Sequence, residues 1–483
     1  MKLLKLLLLL CLMHSVYSSA QTIEWGAVDK ESAAPDLIWD EGGSFYTNSY
    51  VKTALYTNLA EFTLARYENM TKVAEGKIQR KLETGKGGVF GNFCLNGKLV
   101  VVLMQTEKTS ESFYYQLYDK TCKAIGEPVL IAEFQLEDSK RDRGYFTYEL
   151  SQNKKFLLVE YLKKGRKGEQ DNLMFKVFNS EFSLIQEGEY QTAENLNNSV
   201  LTNEGEYVIG VATNKKNEKG KEINQLESYQ IKFFKGGQEN EFTVDLSDKA
   251  HANFKIYNTN SNQLVLLGNF YDERSKKNGY CFSILDLAKN KETKWVYCNP
   301  NLDAKNEYIR EVSLDNEGSL IVLVEQFFEK WIQSSNGNNS TSYSYETAYV
   351  FKMKEDGNAE WVVKLPKRQY SINDGGIAGS LMGYSLNNTY YLFFNDDLRN
   401  YASTGEFLNP KEVEVCGNRK GKTGFVKVEI DLKSGEFKRE LMLKPDVQPL
   451  FVIPFYCEVN YDRNEMLVFF RDRKEEQYGV MKF

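Results

Sequence analysis

The sequence predicts an all-β chain folded as a single β-propeller of four-stranded antiparallel blades over residues 21–483, with eight blades and seven as the alternative. Three observations predict it. A tight turn rich in Asn and Gly recurs eight times, at a spacing of roughly 50 to 60 residues until the last two units. The segment after each turn is a continuous apolar run, which requires burial on both faces of a strand. The last unit has one strand too few, and the segment behind residue 20 can supply it.

The turns, in order, are Glu41-Gly42-Gly43, Asn96-Gly97, Asn153-Lys154, Asn203-Glu204-Gly205, Ser261-Asn262, Asn316-Glu317-Gly318, Asn387-Asn388 and Arg463-Asn464. Asn and Gly accept the positive backbone angles that tight hairpins need. Apolar second strands follow, among them Leu99 to Leu103, Phe156 to Val159, Leu264 to Leu267, Leu320 to Val324, Tyr390 to Phe394 and Met466 to Phe470. Third strands such as Met174 to Phe178 and Phe425 to Ile430 alternate apolar with polar and belong farther out. The blades are therefore expected at 36–82, 88–134, 144–191, 197–246, 251–298, 308–366, 374–443 and 449–483. Thr22 to Val28 would complete the eighth and close the ring. An outer-membrane barrel would need strands apolar on one face only, which the second strands contradict. Stacked β-sandwiches would not repeat one strand order eight times.

Residues 1–20 read as a signal peptide: Lys2 and Lys5, an apolar stretch from Leu6 to Val16, then Ser18-Ser19-Ala20. That stretch is shorter than the roughly 20 residues a spanning helix needs, and no later segment is apolar enough, so no transmembrane segment is expected. The expected location is secreted or periplasmic, in the cell envelope or beyond it. Losing Lys2 and Lys5 would take the formal charge from −6 to −8, which argues against nucleic acid as a partner. Six of the seven cysteines lie beyond residue 20, an even number suited to an oxidising compartment. Centring a hairpin on Ala288-Lys289-Asn290-Lys291 sets Cys281 opposite Cys298 and predicts a disulfide, worth roughly 3 kcal/mol in the chain-entropy model. Cys94, Cys122, Cys416 and Cys457 are left unassigned.

The Asn/Gly hairpins, the turn from Lys354 to Trp361 and the strand end Phe394-Asn395-Asp396-Asp397 resemble secreted β-propeller-like repeat proteins of unknown function from Gram-negative bacteria. The resemblance covers essentially all of residues 21–483 and implies a fold but no reaction.

Few residues offer chemistry. His251 is the one histidine beyond residue 20, so a His-dependent hydrolase would have to use it, and a multi-histidine metal site is ruled out. No metal or cofactor is expected. Asp396 and Asp397 form the most suggestive acidic pair, but neighbours on a strand point to opposite faces, so both are assigned to loop structure. Cationic loops join second to third strands, notably Lys163, Lys164, Arg166 and Lys167, and offer an anion-binding surface. Trp331, Tyr343 and Tyr345, set among Ser, Asn and Gly, offer aromatic recognition of a sugar or protein. The expected function is a non-enzymatic binding or interaction scaffold for a protein or glycan, with no catalytic residues. The alternative is a carbohydrate-active enzyme, of glycosidase or lyase type, using carboxylates in the propeller funnel.

Overall fold

The computed structural model describes residues 23–28, 36–39, 43–52, 60–78, 86–135, 144–163, 165, 170–192, 195–246, 249–259, 263–272, 277–302, 306–315, 317–333, 339–354, 356, 358–377, 379–417, 421–461, 463–472 and 475–483. They form eight antiparallel sheets of four or five strands and three short 3₁₀ turns. In chain order, blades 1 to 7 span residues 36–77, 86–135, 145–192, 195–243, 250–298, 307–372 and 382–443. Blade 8 takes 451–482 and is completed by Ile23–Trp25.

Turn chemistry sets the first hairpin of each blade. Asn96 and Gly97 both hold positive φ, at 49° and 68°, and Asn387 and Asn464 sit at 55° and 52°. Such angles match the turn to the twist of the strands it joins.

Continuous apolarity in the second strands has a direct packing cause. Neighbouring residues on one strand point into opposite blade interfaces, and both interfaces are core. Val101 packs with Leu64 of blade 1, while Val102 packs with Val159 of blade 3. The series continues through Val177 with Ile209, Val208 with Leu266, Val265 with Val322, Leu323 with Leu392 and Phe393 with Val468. It returns to its start with Phe469 of blade 8 against Phe45 of blade 1. Each such side chain contributes about 1.5–3 kcal/mol on burial. Blade is thus joined to blade around a closed ring.

Covalent closure is replaced by strand pairing. Ile23 stands opposite Met481, Glu24 opposite Val480 and Trp25 opposite Gly479. Trp25 meets Phe470 edge-on at 5.3 Å, and the Gly26 N–H donates to the Tyr478 carbonyl at 3.0 Å. A Cβ on Gly479 would lie 2.7 Å from Ile23 Cγ2, so the outer strand seats this closely because residue 479 has no side chain. The expected eight blades and the closing strand agree with these pairings, while blade 6 runs on to Ile372 and blade 7 starts at Met382, against the expected 366 and 374. No helix among the described residues is long and apolar enough to cross a membrane. The signal-peptide reading of residues 1–20 lies outside the described residues.

The expected Cys281–Cys298 disulfide does not form. Cys281 stands opposite Tyr297, and Cys298 opposite Tyr280. The sulfurs therefore lie on opposite faces of blade 5, Cys281 in the core shared with blade 4 and Cys298 in that shared with blade 6. The cause is the turn. Asp286 accepts a hydrogen bond from the Lys289 N–H, Asn290 takes a left-handed φ of 53°, and the loop closes early, with Asp286 opposite Lys291. An irregularity farther along restores part of the offset, leaving the cysteines one residue out of register. Cys94, Cys122, Cys281, Cys298, Cys416 and Cys457 are all free thiols.

Blade 6 also departs from expectation. Its second and third strands overrun the blade, at Leu320–Gln333 and Asn339–Met353, and Gln369–Ile372 adds alongside Ser342 to Tyr345. What reads in sequence as a long loop is a three-stranded wing.

Candidate binding site

The wing places the three expected aromatics on one face, since Trp331 stands opposite Thr341, and Tyr343 and Tyr345 follow at alternate positions. They do not form one platform. Trp331 is 64% exposed, but Tyr345 is only 8% exposed and corrects the expectation of an open contact. Gly376 and Gly379 cover it: a Cβ at either would fall within 2.5 Å of the Tyr345 side chain. Lys163 ends the second strand of blade 3, opposite Asn172. Lys164, Arg166 and Lys167 lie outside the described residues.

Asp396 and Asp397, expected from the sequence in loop structure, instead end the second strand of blade 7, opposite Gly424 and Thr423. Asp396 is buried and pairs with Arg439, while Tyr401 OH and Asn400 Nδ2 donate to it at 2.9 and 3.0 Å. Burial raises its pKa, against the pull of Arg439. Asp397 accepts from the Arg399 N–H at 3.0 Å, capping a 3₁₀ turn, and takes the Arg399 guanidinium at 2.8 and 2.9 Å. The two carboxylates face different partners, as strand geometry requires.

A pocket of about 480 Å³ opens between blades 4, 5 and 6. Its walls are the starts of inner and third strands and the ends of second strands, so it belongs to one end of the ring. Asn224, Asn253, Asn269 and Asn299 line it together with Tyr271 and Glu307. The inner strand of blade 5 bulges between Ala252 and Lys255, and Asn253 takes a φ of 55°. Phe254 then turns inward over Gly268, where a Cβ would meet its Cδ1 at 2.0 Å. Asn253 is left facing the pocket, with its Nδ2 3.4 Å from Asn269 Oδ1.

His251 forms the pocket's floor beside a thiol. Its Nδ1 is 3.5 Å from Cys281 Sγ, and its Nε2 is 3.5 Å from Tyr297 OH. Burial depresses the imidazole to about 4, and burial also raises the Cys281 thiol well above its ordinary range. Both groups are therefore neutral near pH 7. A thiolate–imidazolium nucleophile, which needs the opposite pair of shifts, is not what this environment favours. Glu307 accepts from Tyr280 OH, and burial holds its pKa above the ordinary carboxylate range against that bond.

Sequence reasoning missed the amide lining. Its members come from blades 4 and 5 and the segment after Cys298, and the bulge at Asn253 turns that residue to the same space; the single local signal was Gly268 inside an apolar strand.

No protein-family model matches the chain, and no curated protein matches it in sequence. Solved structures are similar in fold. The WD40 domain of SCAP from fission yeast is 9% identical, covers 97% of this chain and 96% of its own, and has a TM-score of 0.40. The Dos1 propeller is 10% identical, with coverages of 95% and 94% and a TM-score of 0.46. The polysaccharide lyase Uly1 is 9% identical, with coverages of 94% and 90% and a TM-score of 0.38. The fold assignment rests on the pairing and packing described above.

Proposed function

We propose that the protein is a secreted or periplasmic propeller that binds a glycan in the pocket between blades 4, 5 and 6 without turning it over. The observation that carries this reading is the pocket's lining. Asn224, Asn253, Asn269 and Asn299 bring amides that can both donate and accept, the pairing that sugar hydroxyls need, with Asn299 Oδ1 also accepting from the Asn301 N–H at 2.8 Å, and Tyr271 adds a half-open ring. Glycoside hydrolysis needs two carboxylates roughly 5 to 9.5 Å apart. Glu307 is the one carboxylate among the described lining residues, and Tyr280 holds it. Other acids at blade interfaces are held in the same way: Glu111 by Tyr161 at 3.1 Å, Glu311 by Tyr390 at 2.8 Å and Glu160 by Tyr207.

The test is a polysaccharide panel scored twice, for retention of the protein and for release of reducing ends or unsaturated products. Retention without release is expected. Product release that survives purification to homogeneity would reverse the reading in favour of a carbohydrate-active enzyme.

A second reading, protein docking on the wing, has its own support. Trp331, Ile332, Tyr370 and Ile372 are all exposed on this three-stranded extension. Exposed apolar groups gathered on one element are the usual mark of an interaction surface. Loss of a partner from pull-downs with Trp331→Ala, at unchanged glycan retention, would assign the wing that second role.

A further inference from the structure

Beside the pocket, on the same two inner strands, one aromatic ring has two cations close to it. Tyr308 is 50% exposed. The Lys255 ammonium lies 5.8 Å from its ring centroid, and the Arg310 guanidinium carbon lies 4.9 Å away. Lys255 is two residues beyond Asn253 and Tyr308 is next to Glu307, so the cluster begins about 7 Å along the strand from the pocket's lining. Arg310 is placed by a bulge: the register shifts between Ile309 and Glu311, and Arg310 has no residue opposite it.

Charge leaves this cluster short of an anion. Arg310 Nε donates to Glu325 Oε2 at 2.7 Å, but the same carboxylate also takes Lys367 Nζ at 2.6 Å and Ser380 Oγ at 2.8 Å. One carboxylate thus serves two cations. Lys255 has no carboxylate partner among the described residues, and the Arg310 guanidinium, on a side chain 25% exposed, gives only its Nε to a carboxylate among them. The acids nearest on this strand, Glu307 and Glu311, are held by the hydroxyls of Tyr280 and Tyr390. A neutral sugar would leave this imbalance in place. A sugar bearing a carboxylate would complete it with charge-assisted hydrogen bonds while its ring lies on Tyr308.

We infer that the ligand is an acidic glycan, a uronate-containing polysaccharide whose carboxylate is held between Lys255 and Arg310 with the sugar ring against Tyr308. This inference rests on the glycan-binding reading and specifies the class of sugar.

The test is native affinity electrophoresis in gels containing polygalacturonate, alginate, methyl-esterified pectin or neutral galactan. Lys255→Gln and Tyr308→Ala are run beside the wild type, both exposed positions whose folding is checked by circular dichroism. At least one of the two uronates is expected to retard the wild type, with retardation weakened by salt. Esterified pectin and galactan are expected to retard it far less. Lys255→Gln should weaken the uronate complex by roughly tenfold, the worth of one charge-assisted contact. Equal retardation by galactan and polygalacturonate, unchanged in Lys255→Gln, would overturn the acidic-glycan inference and leave glycan binding standing. Uronate retardation that survives both substitutions would overturn the placement at Tyr308. Absence of retardation by every polysaccharide would overturn the inference together with the reading it rests on.

Discussion

Lys154 Nζ lies 3.4 Å from Glu458 Oε1, joining the first turn of blade 3 to the inner strand of blade 8 across the ring. Gln152, in the same turn, donates to the Asn258 carbonyl of blade 5 at 3.2 Å. These contacts bridge the channel at the end remote from the pocket. Both members of the ion pair are about a third or more exposed, so its worth is under about 1 kcal/mol. Lys154→Ala is expected to change unfolding free energy by less than that and to leave glycan affinity unaltered. A tenfold or larger loss of affinity in that variant, measured by calorimetry, would put the ligand at the wrong end of the ring.

Deleting residues 22–28 removes the strand opposite Gly479 to Met481 and exposes the Trp25 contact with Phe470. The cost is expected to be roughly 3 kcal/mol, from the apolar area lost. Because Phe469 and Phe45 join blade 8 to blade 1, the whole unfolding transition should move as one. A transition that splits, leaving most of the protein melting as before, would contradict closure by this strand.

Asp396→Ala leaves Arg439 buried beside Tyr401 without its carboxylate. The expected cost is about 3–5 kcal/mol, as for breaking a buried ion pair. Asp397→Ala removes a cap and an exposed pairing with Arg399, and the expected cost is about 1 kcal/mol. Denaturant titration separates the two. Neither substitution should abolish glycan retention in protein that remains folded, and loss of binding by folded Asp397→Ala would return that carboxylate to the candidate site.

Glu149 and His251 give opposite pH slopes. Burial, with help from Glu160, raises Glu149 from 4.5 to about 7, although the Leu201 N–H works to lower it. The folded protein therefore binds more protons than the unfolded chain between those values, and stability falls as pH rises through them. Burial lowers His251 from 6.5 to about 4, so there the unfolded chain binds more protons and stability rises with pH. In the wild type the slopes largely cancel between about pH 4.5 and 6.5. Glu149→Gln should stabilise the protein at pH 8 by on the order of 2 kcal/mol, and should uncover the His251 slope at acid pH. Stability differences between wild type and variant that stay constant from pH 4 to 8 would contradict the Glu149 assignment, and a variant whose stability does not rise with pH between about 4 and 6.5 would contradict that of His251.

The blades were legible because their signals are local. Leu99 to Leu103 must be buried on both faces wherever they sit, and Asn96-Gly97 must turn. Closure was legible from a missing strand at one end of the chain and a spare one at the other. The Cys281 register was not, because it turns on one side-chain cap at Asp286 and one left-handed residue at Asn290, and a single-residue slip reverses the face. Tyr345 reads as an exposed aromatic until Gly376 and Gly379, more than thirty residues on, are folded over it. Lys255, Tyr308 and Arg310 carry no shared motif, and two inner-strand bulges bring them together.

Hydrogen–deuterium exchange on the full chain, with and without a saturating glycan from the panel, tests the placement of the ligand most directly. Slower exchange is expected at residues 250–255, 269–271 and 299–310, with the turn at 151–155 and the wing at 328–333 unchanged. Protection confined to the wing or to the 151–155 turn, with the pocket strands exchanging as before, would contradict a ligand held between blades 4, 5 and 6.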